Sequence, residues 1–159
     1  MLITWSALRP SIWIRFLGKG IMMKKDCLFC NIAKGSIPSA TIYEDSHFRV
    51  FMDVNPASRG HCLIVPREHF DNIYDLDSET AGRLFSLATC IARALKQALD
   101  CDGLNVVQNN GIVAGQTVNH FHLHLIPRYE GDDLDILWKP REASPEELEE
   151  LRKLIKSKI

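Results

Sequence analysis

The chain reads as an α+β domain built on an antiparallel five-stranded sheet, with one long and one short helix against it and a further helix at the C-terminus. Three observations predict this. Five short apolar runs of strand length occur between residues 40 and 126, and turn-like residues join several of them directly. A single stretch, 78–99, keeps an apolar stripe at helical spacing along its whole length. The helical patterns are segregated from the strands instead of alternating with them, which argues against a parallel βαβ sheet.

Residues 1–22 stand apart. They carry Arg9, Arg15 and Lys19 and no acidic residue. They fall short of the ~20 consecutive apolar residues that a membrane span needs. Arg9, Pro10 and Arg15 also interrupt any signal-peptide centre. Two readings follow: an upstream translation start, with Met22 and Met23 just beyond it, or an organelle targeting segment. The second rests on Ile12 and Phe16, and on Trp13 and Leu17, which are helically spaced. The folded domain is expected over 23–140, with a C-terminal helix in 141–159.

From residue 27 the elements follow in order. Leu28, Phe29 and Ile32 predict a short helix ended near Gly35. Residues 40–44 and 48–53 are two strands joined at Asp45-Ser46. Residues 55–60, Asn-Pro-Ala-Ser-Arg-Gly, are a loop, and 61–65 an apolar strand stopped by Pro66. The long helix has Asp77 or Ser78 as its cap and Glu79 and Arg83 as an i,i+4 pair. Its buried stripe is expected to be Ala81, Leu84, Leu87 or Ala88, Ile91, Leu95 and Ala98, with Gly103 as a left-handed cap beyond its end. A strand at 104–108, a polar loop at 109–115 and a strand at 120–126 stopped by Pro127 complete the sheet. Ser144-Pro145-Glu146-Glu147 opens the last helix.

Composition narrows the function. The 159 residues carry 19 basic and 20 acidic side chains and are 46% apolar. Such a chain can fill a core, which excludes disorder, and its balanced charge gives no footprint for nucleic acid or a membrane surface. Five cysteines, an odd number at irregular spacing, argue against a disulfide scaffold and for a reducing compartment such as the cytoplasm. Cys62 and Cys90 lie in apolar runs and are expected to be buried.

The chemistry concentrates at 120–126, His-Phe-His-Leu-His-Leu-Ile. Alternation along a strand would put His120, His122 and His124 on one face, ~6.6 Å apart, with Phe121, Leu123 and Leu125 anchored in the core. Two uses of that row are open: two histidines with a further ligand could hold a zinc ion and its activated water, or one could attack phosphorus while the others orient it. The preceding loop contains Gly111 and Gly115, with Asn109, Gln116 and Thr117 as neutral donors. That is a composition suited to cradling an anion.

Residues 115–126, Gly-Gln-Thr-Val-Asn-His-Phe-His-Leu-His-Leu-Ile, resemble the defining motif of the histidine triad superfamily of nucleotide hydrolases and transferases. The resemblance extends over most of 27–130, through Leu28-Phe29-Cys30, Tyr43-Glu44-Asp45, Phe51-Met52-Asp53, Gly60-His61 and Ile64-Val65-Pro66-Arg67-Glu68-His69. It is nearest to the small bacterial members and the nucleoside phosphoramidase branch. It implies cleavage at the α-phosphate of purine nucleotide derivatives, either phosphoramidates or dinucleoside polyphosphates, through a nucleotidyl-histidine on His122; the alternatives are a metal-dependent hydrolase using the His row as ligands and a non-catalytic nucleotide-binding module. His124 and His61 would assist, and Asn109, Gly115, Gln116, Thr117 and His124 would hold phosphate oxygens. Asp53 would take the ribose hydroxyls, beside an apolar base pocket of Leu28, Phe29, Ile32, Phe51 and Val54. Members with a Cys-x-x-Cys pair bind zinc, which by position would be held by Cys27, Cys30, His69 and His120 as a closed structural set. The family also implies a homodimer whose sheet continues across the two copies, with the long helix and the strand at 104–108 in contact. Trp138 lies at a different spacing from the tryptophan with which the phosphoramidase branch often ends. His47 has no counterpart role.

Overall fold

The computed structural model describes residues 24–136 and 138–159, so the expectations for 1–22 lie outside the described residues. The elements are α1 (Leu28–Ala33), β1 (Thr41–Glu44), β2 (Phe48–Met52), β3 (Cys62–Pro66), α2 (Ser78–Leu99), β4 (Gly103–Val107), β5 (Leu123–Arg128) and α3 (Pro145–Lys156). The five strands form one antiparallel sheet in the order β1-β2-β3-β5-β4. The fold class expected from the sequence is therefore the one observed.

The sheet separates two apolar clusters. On one face α2 contributes Leu84, Ala88, Ile91 and Leu95 to a core shared with Val50, Cys62, Ile64, Phe121, Leu123 and Leu125. On the other face α1 packs Phe29, Cys30 and Ile32 against Phe51, Leu63 and Val65. At six residues α1 is too short to persist alone. Cys27 caps it by accepting the Cys30 N–H, and two arginines, one in β2 and one just past β3, tie down its last carbonyls. Arg49 donates to Ile32 O at 2.7 Å and Arg67 to Ala33 O at 2.5 Å.

Four local expectations need correction. Ala98, expected in the buried stripe of the long helix, is exposed, and the stripe ends at Leu95. The long helix ends on Asp100, in the left-handed conformation at φ 49°, and Gly103 opens β4 instead. Asp is one of the few non-glycine residues that tolerates this region. Cys62 is buried, but Cys90 is exposed because it falls off the 84-88-91-95 stripe. The last strand starts at Leu123, not His120, and runs through Pro127 to Arg128. Residues 120–122 leave the ladder because their backbone bonds elsewhere: His120 N–H to Val118 O at 2.8 Å and Phe121 N–H to Phe70 O at 2.6 Å. Pro127 is tolerated because the pairing with β3 has ended at Leu125 by that point.

Candidate functional site: two histidine clusters

The alternation expected of the triad survives the shift in strand start. Leu123 and Leu125 face the α2 core, and His124 stands opposite, level with Leu63 of β3. His122 and His124 rings lie 4.9 Å apart, edge to face. His120, at the head of the row, turns into a different cluster. The three histidines thus share a side of the sheet but divide between two groups.

The first group is His61, His122, His124 and Asp53. His122 Nδ1 lies 2.7 Å from the carbonyl oxygen of His120. A carbonyl can only accept, so Nδ1 carries the proton and Nε2 keeps its lone pair. Burial pushes the His122 pKa down, more than its hydrogen bond to that carbonyl pushes it up, so the ring is neutral near pH 7. It is a ready nucleophile at Nε2. A second chain of bonds begins at Ala57, whose N–H donates to His61 Nδ1 at 3.0 Å. His61 therefore carries its proton on Nε2, which meets His124 Nδ1 at 2.9 Å. That leaves the His124 proton on Nε2, as a donor. Burial, then His122 and His61, push the His124 pKa down to about 4. Burial also lowers that of His61. Asp53 sits 3.7 Å from His61 Nε2, and its other oxygen accepts the Asn55 N–H at 2.9 Å.

The second group is Cys27, Cys30, His69 and His120, whose donor atoms all lie within 4.8 Å of one another. The two Nδ1 atoms are 3.2 Å apart, and their contacts with sulfur span 3.3 to 3.5 Å. A tetrahedral zinc with ordinary Zn–N and Zn–S lengths would set those edges at about 3.3 and 3.6 Å. The outer nitrogens are both engaged as donors: His69 Nε2 to Asp71 Oδ1 at 2.8 Å and His120 Nε2 to Pro66 O at 2.9 Å. Both inner nitrogens therefore present lone pairs to each other, an arrangement that a cation between them relieves. The hydrogen bond from Cys30 holds the Cys27 thiol far below its usual range, against the opposing effect of burial. The donor set fits zinc. Asp53, His61 and His124 also lie within 4.8 Å of one another, but there Ala57 keeps a proton, not a lone pair, on His61 Nε2. Histidines thus present lone pairs to one another in the Cys27 cluster and a chain of proton donors in the Asp53 cluster.

The remaining expected site residues are placed as follows. Phe29, Ile32 and Phe51 are buried with α1, while Leu28 is half-exposed and Val54 stands 90% exposed beside Asp53. Leu28 and Thr117 line a cleft of about 330 Å³ with Lys24, Cys27 and Asn119. Gly115, at φ 85°, lies next to the Asn109 amide, whose side chain has no hydrogen-bond partner among the described residues. Gln116 behaves differently. It is buried, and its amide is spent on main-chain groups of Gly111, Asp71 and Val118. His47 is exposed in the β1–β2 turn beside Arg83, in a hollow that no expected site residue lines. Trp138 is exposed. Two contributors were missed from sequence: Asp71, signalled only by its place two residues after His69, and the Ala57 amide, for which no side-chain signal exists.

The HIT domain family matches residues 34–131. The chain belongs to this family. A HIT family protein of known structure from Bacillus subtilis is 39% identical, covering 85% of this chain and 98% of its own, with a TM-score of 0.80. The adenosine 5'-monophosphoramidase hnt1 of Schizosaccharomyces pombe is 37% identical over 134 residues, 84% of this chain and 98% of the relative. A zinc-bound histidine triad protein of Mycobacterium smegmatis is 37% identical, covering 84% and 98% of the two chains, with a TM-score of 0.67. Among the described residues, no helix of this HIT protein is long and apolar enough to cross a membrane.

Proposed function

We propose that this HIT protein is a nucleotide hydrolase or nucleotidyl transferase acting at the α-phosphate of purine nucleotide derivatives, phosphoramidates or dinucleoside polyphosphates, through His122. One observation carries the reading: the His120 carbonyl takes the His122 Nδ1 proton, so that Nε2 is a free lone pair beside the donor nitrogen of His124. In the first step Nε2 of His122 bonds to the α-phosphorus as the bond to the leaving nitrogen or oxygen breaks. His124 Nε2 donates a hydrogen bond to the leaving group, which takes its proton from water as it departs. Water then attacks phosphorus, the P–N bond to His122 breaks to return the neutral imidazole, and the proton released by that water leaves to solvent. The open Asn109 amide and the hydroxyl of Thr117, which is exposed, supply donors for the non-bridging oxygens. Asp53, Leu28 and Val54 offer an acceptor for ribose hydroxyls and an apolar wall for a base. The name of the fission yeast relative, a phosphoramidase of adenosine 5'-monophosphate, supports the substrate class.

Cys27, Cys30, His69 and His120 would hold zinc. With four protein ligands the ion would be a structural clamp between α1 and the triad, supplying no activated water. The zinc-bound relative supports that assignment.

The test is mass spectrometry of protein quenched after mixing with adenosine phosphoramidate and, separately, with a diadenosine polyphosphate. The expected result is a nucleotidyl mass on the peptide bearing His122, with turnover of at least one substrate. His122→Ala is expected to lose activity by about 10³-fold or more while retaining its zinc. Absence of both adduct and turnover overturns the reading. Loss of the metal along with His122 would favour a zinc-activated water instead.

A further inference from the structure

Gln116 is the buried polar residue whose observed partners depart most from its expected place on a phosphate. It is 4% exposed and every hydrogen of its amide is used. Nε2 donates to the main-chain oxygen of Asp71 at 2.6 Å and to that of Val118 at 3.0 Å. Oε1 accepts the N–H of Gly111 at 2.7 Å. Gly111 opens the loop that closes at Gly115, and both glycines sit at positive φ, so the loop's shape is set by a few fixed points. Asp71 is the residue whose carboxylate receives the outer proton of His69. Gln116 is thus one covalent residue away from the metal cluster on one side and bonds directly to the anion loop on the other. A second tie joins the same two segments: the Asn110 side chain accepts the Ile73 N–H at 2.8 Å.

We propose that Gln116 is a positioning residue that makes the shape of the 111–115 loop depend on occupancy of the Cys27, Cys30, His69 and His120 site. When the metal is bound, His69 and Asp71 are fixed, the Asp71 carbonyl is fixed with them, and Gln116 holds Gly111 in place. When it is absent, the brace loses its anchor and the loop loosens although none of its own residues binds metal. In this role Gln116 does not touch phosphate. The inference rests on the reading of the loop as the phosphate cradle, but its test needs no turnover, so its failure and the failure of that reading are separate results.

The measurement is amide hydrogen exchange over 109–118 in the full chain, with zinc bound and after chelation. In the wild-type protein, removal of zinc should speed exchange at Gly111 and its neighbours by about five- to tenfold, the equivalent of one hydrogen bond lost from the closed state. Gln116→Leu should exchange at the fast rate with or without zinc. Zinc affinity, followed by competition with a chromophoric chelator, should change less than about threefold, because no ligand is altered. Should the leucine variant fail to fold, Gln116→Glu carries the same test. It keeps an acceptor for Gly111 and removes the donor to Asp71, so loop protection should again become independent of zinc. A wild-type loop whose exchange ignores zinc overturns the proposal. So does a folded Gln116 variant whose loop still responds to zinc as the wild type does.

Discussion

His61 and His69 are both buried, each beside a second histidine and a carboxylate, and they do opposite things because different ring nitrogens are engaged from outside. An amide N–H reaches His61 Nδ1 and leaves it a proton donor toward His124, whereas the Asp71 carboxylate accepts the His69 Nε2 proton in a hydrogen bond and leaves Nδ1 a lone pair. Burial raises the cost of protonating the first group, and this has a pH signature. His124 has its pKa lowered from 6.5 to about 4. The unfolded chain therefore takes up a proton between those values that the folded one refuses. Stability contributed by neutral His124 is complete above about pH 6.5 and is lost as pH falls toward 4, at most about 3 kcal/mol. Urea unfolding of His124→Gln across that window should show a shallower fall than the wild type. Equal slopes would mean that His124 is as easily protonated folded as unfolded. On the other side of the site, Asp71→Ala removes the acceptor behind His69. Zinc affinity should drop by about 10- to 100-fold, measured by chelator competition.

At the scale of elements, α1 depends on everything around it. A six-residue helix has no stability of its own, so it is held by the Cys27 cap, by Arg49 and Arg67 on its last carbonyls, and by the cluster at its start. Removing zinc from the proposed site should therefore lower Tm by about 10 °C or more, with exchange protection lost first in α1. A chelated protein with unchanged Tm would mean that the four ligands hold α1 without metal. The elements themselves were legible where local signals agree. The stripe 84-88-91-95 and the Asp77 and Ser144 caps are visible in the sequence because helical periodicity and capping are local. The position of His120 was not, because its N–H turns back on Val118 while its ring bonds to Pro66, Cys27, Cys30 and His69, distant partners that no spacing encodes. Gln116 shows the same limit. A donor in a glycine loop reads as a phosphate contact, and only the fold reveals that the carbonyls of Asp71 and Val118 already occupy it.

For the whole molecule, the sheet order leaves β4 as an edge strand, and this is where the expected second copy would add. Val106 pairs with Leu125, so its side chain points to the face that α2 covers, yet it stays 48% exposed. Phe85 of α2 is 55% exposed. An apolar edge strand and an exposed aromatic on the helix that packs on the same face of the sheet are surfaces that a twofold partner can cover while its own β4 continues the sheet. Such a contact needs about 800 Å² from each copy to persist, more than two side chains supply, so the β4 backbone and the length of α2 must both take part. Phe85→Glu and Val106→Glu change exposed positions and should leave the circular dichroism of the monomer fold intact. Each should shift the mass measured by light scattering from two chains toward one, and the double variant should be monomeric at micromolar concentration. A wild-type protein that is already monomeric, or a double variant that keeps the dimer mass, would place the contact elsewhere or remove it.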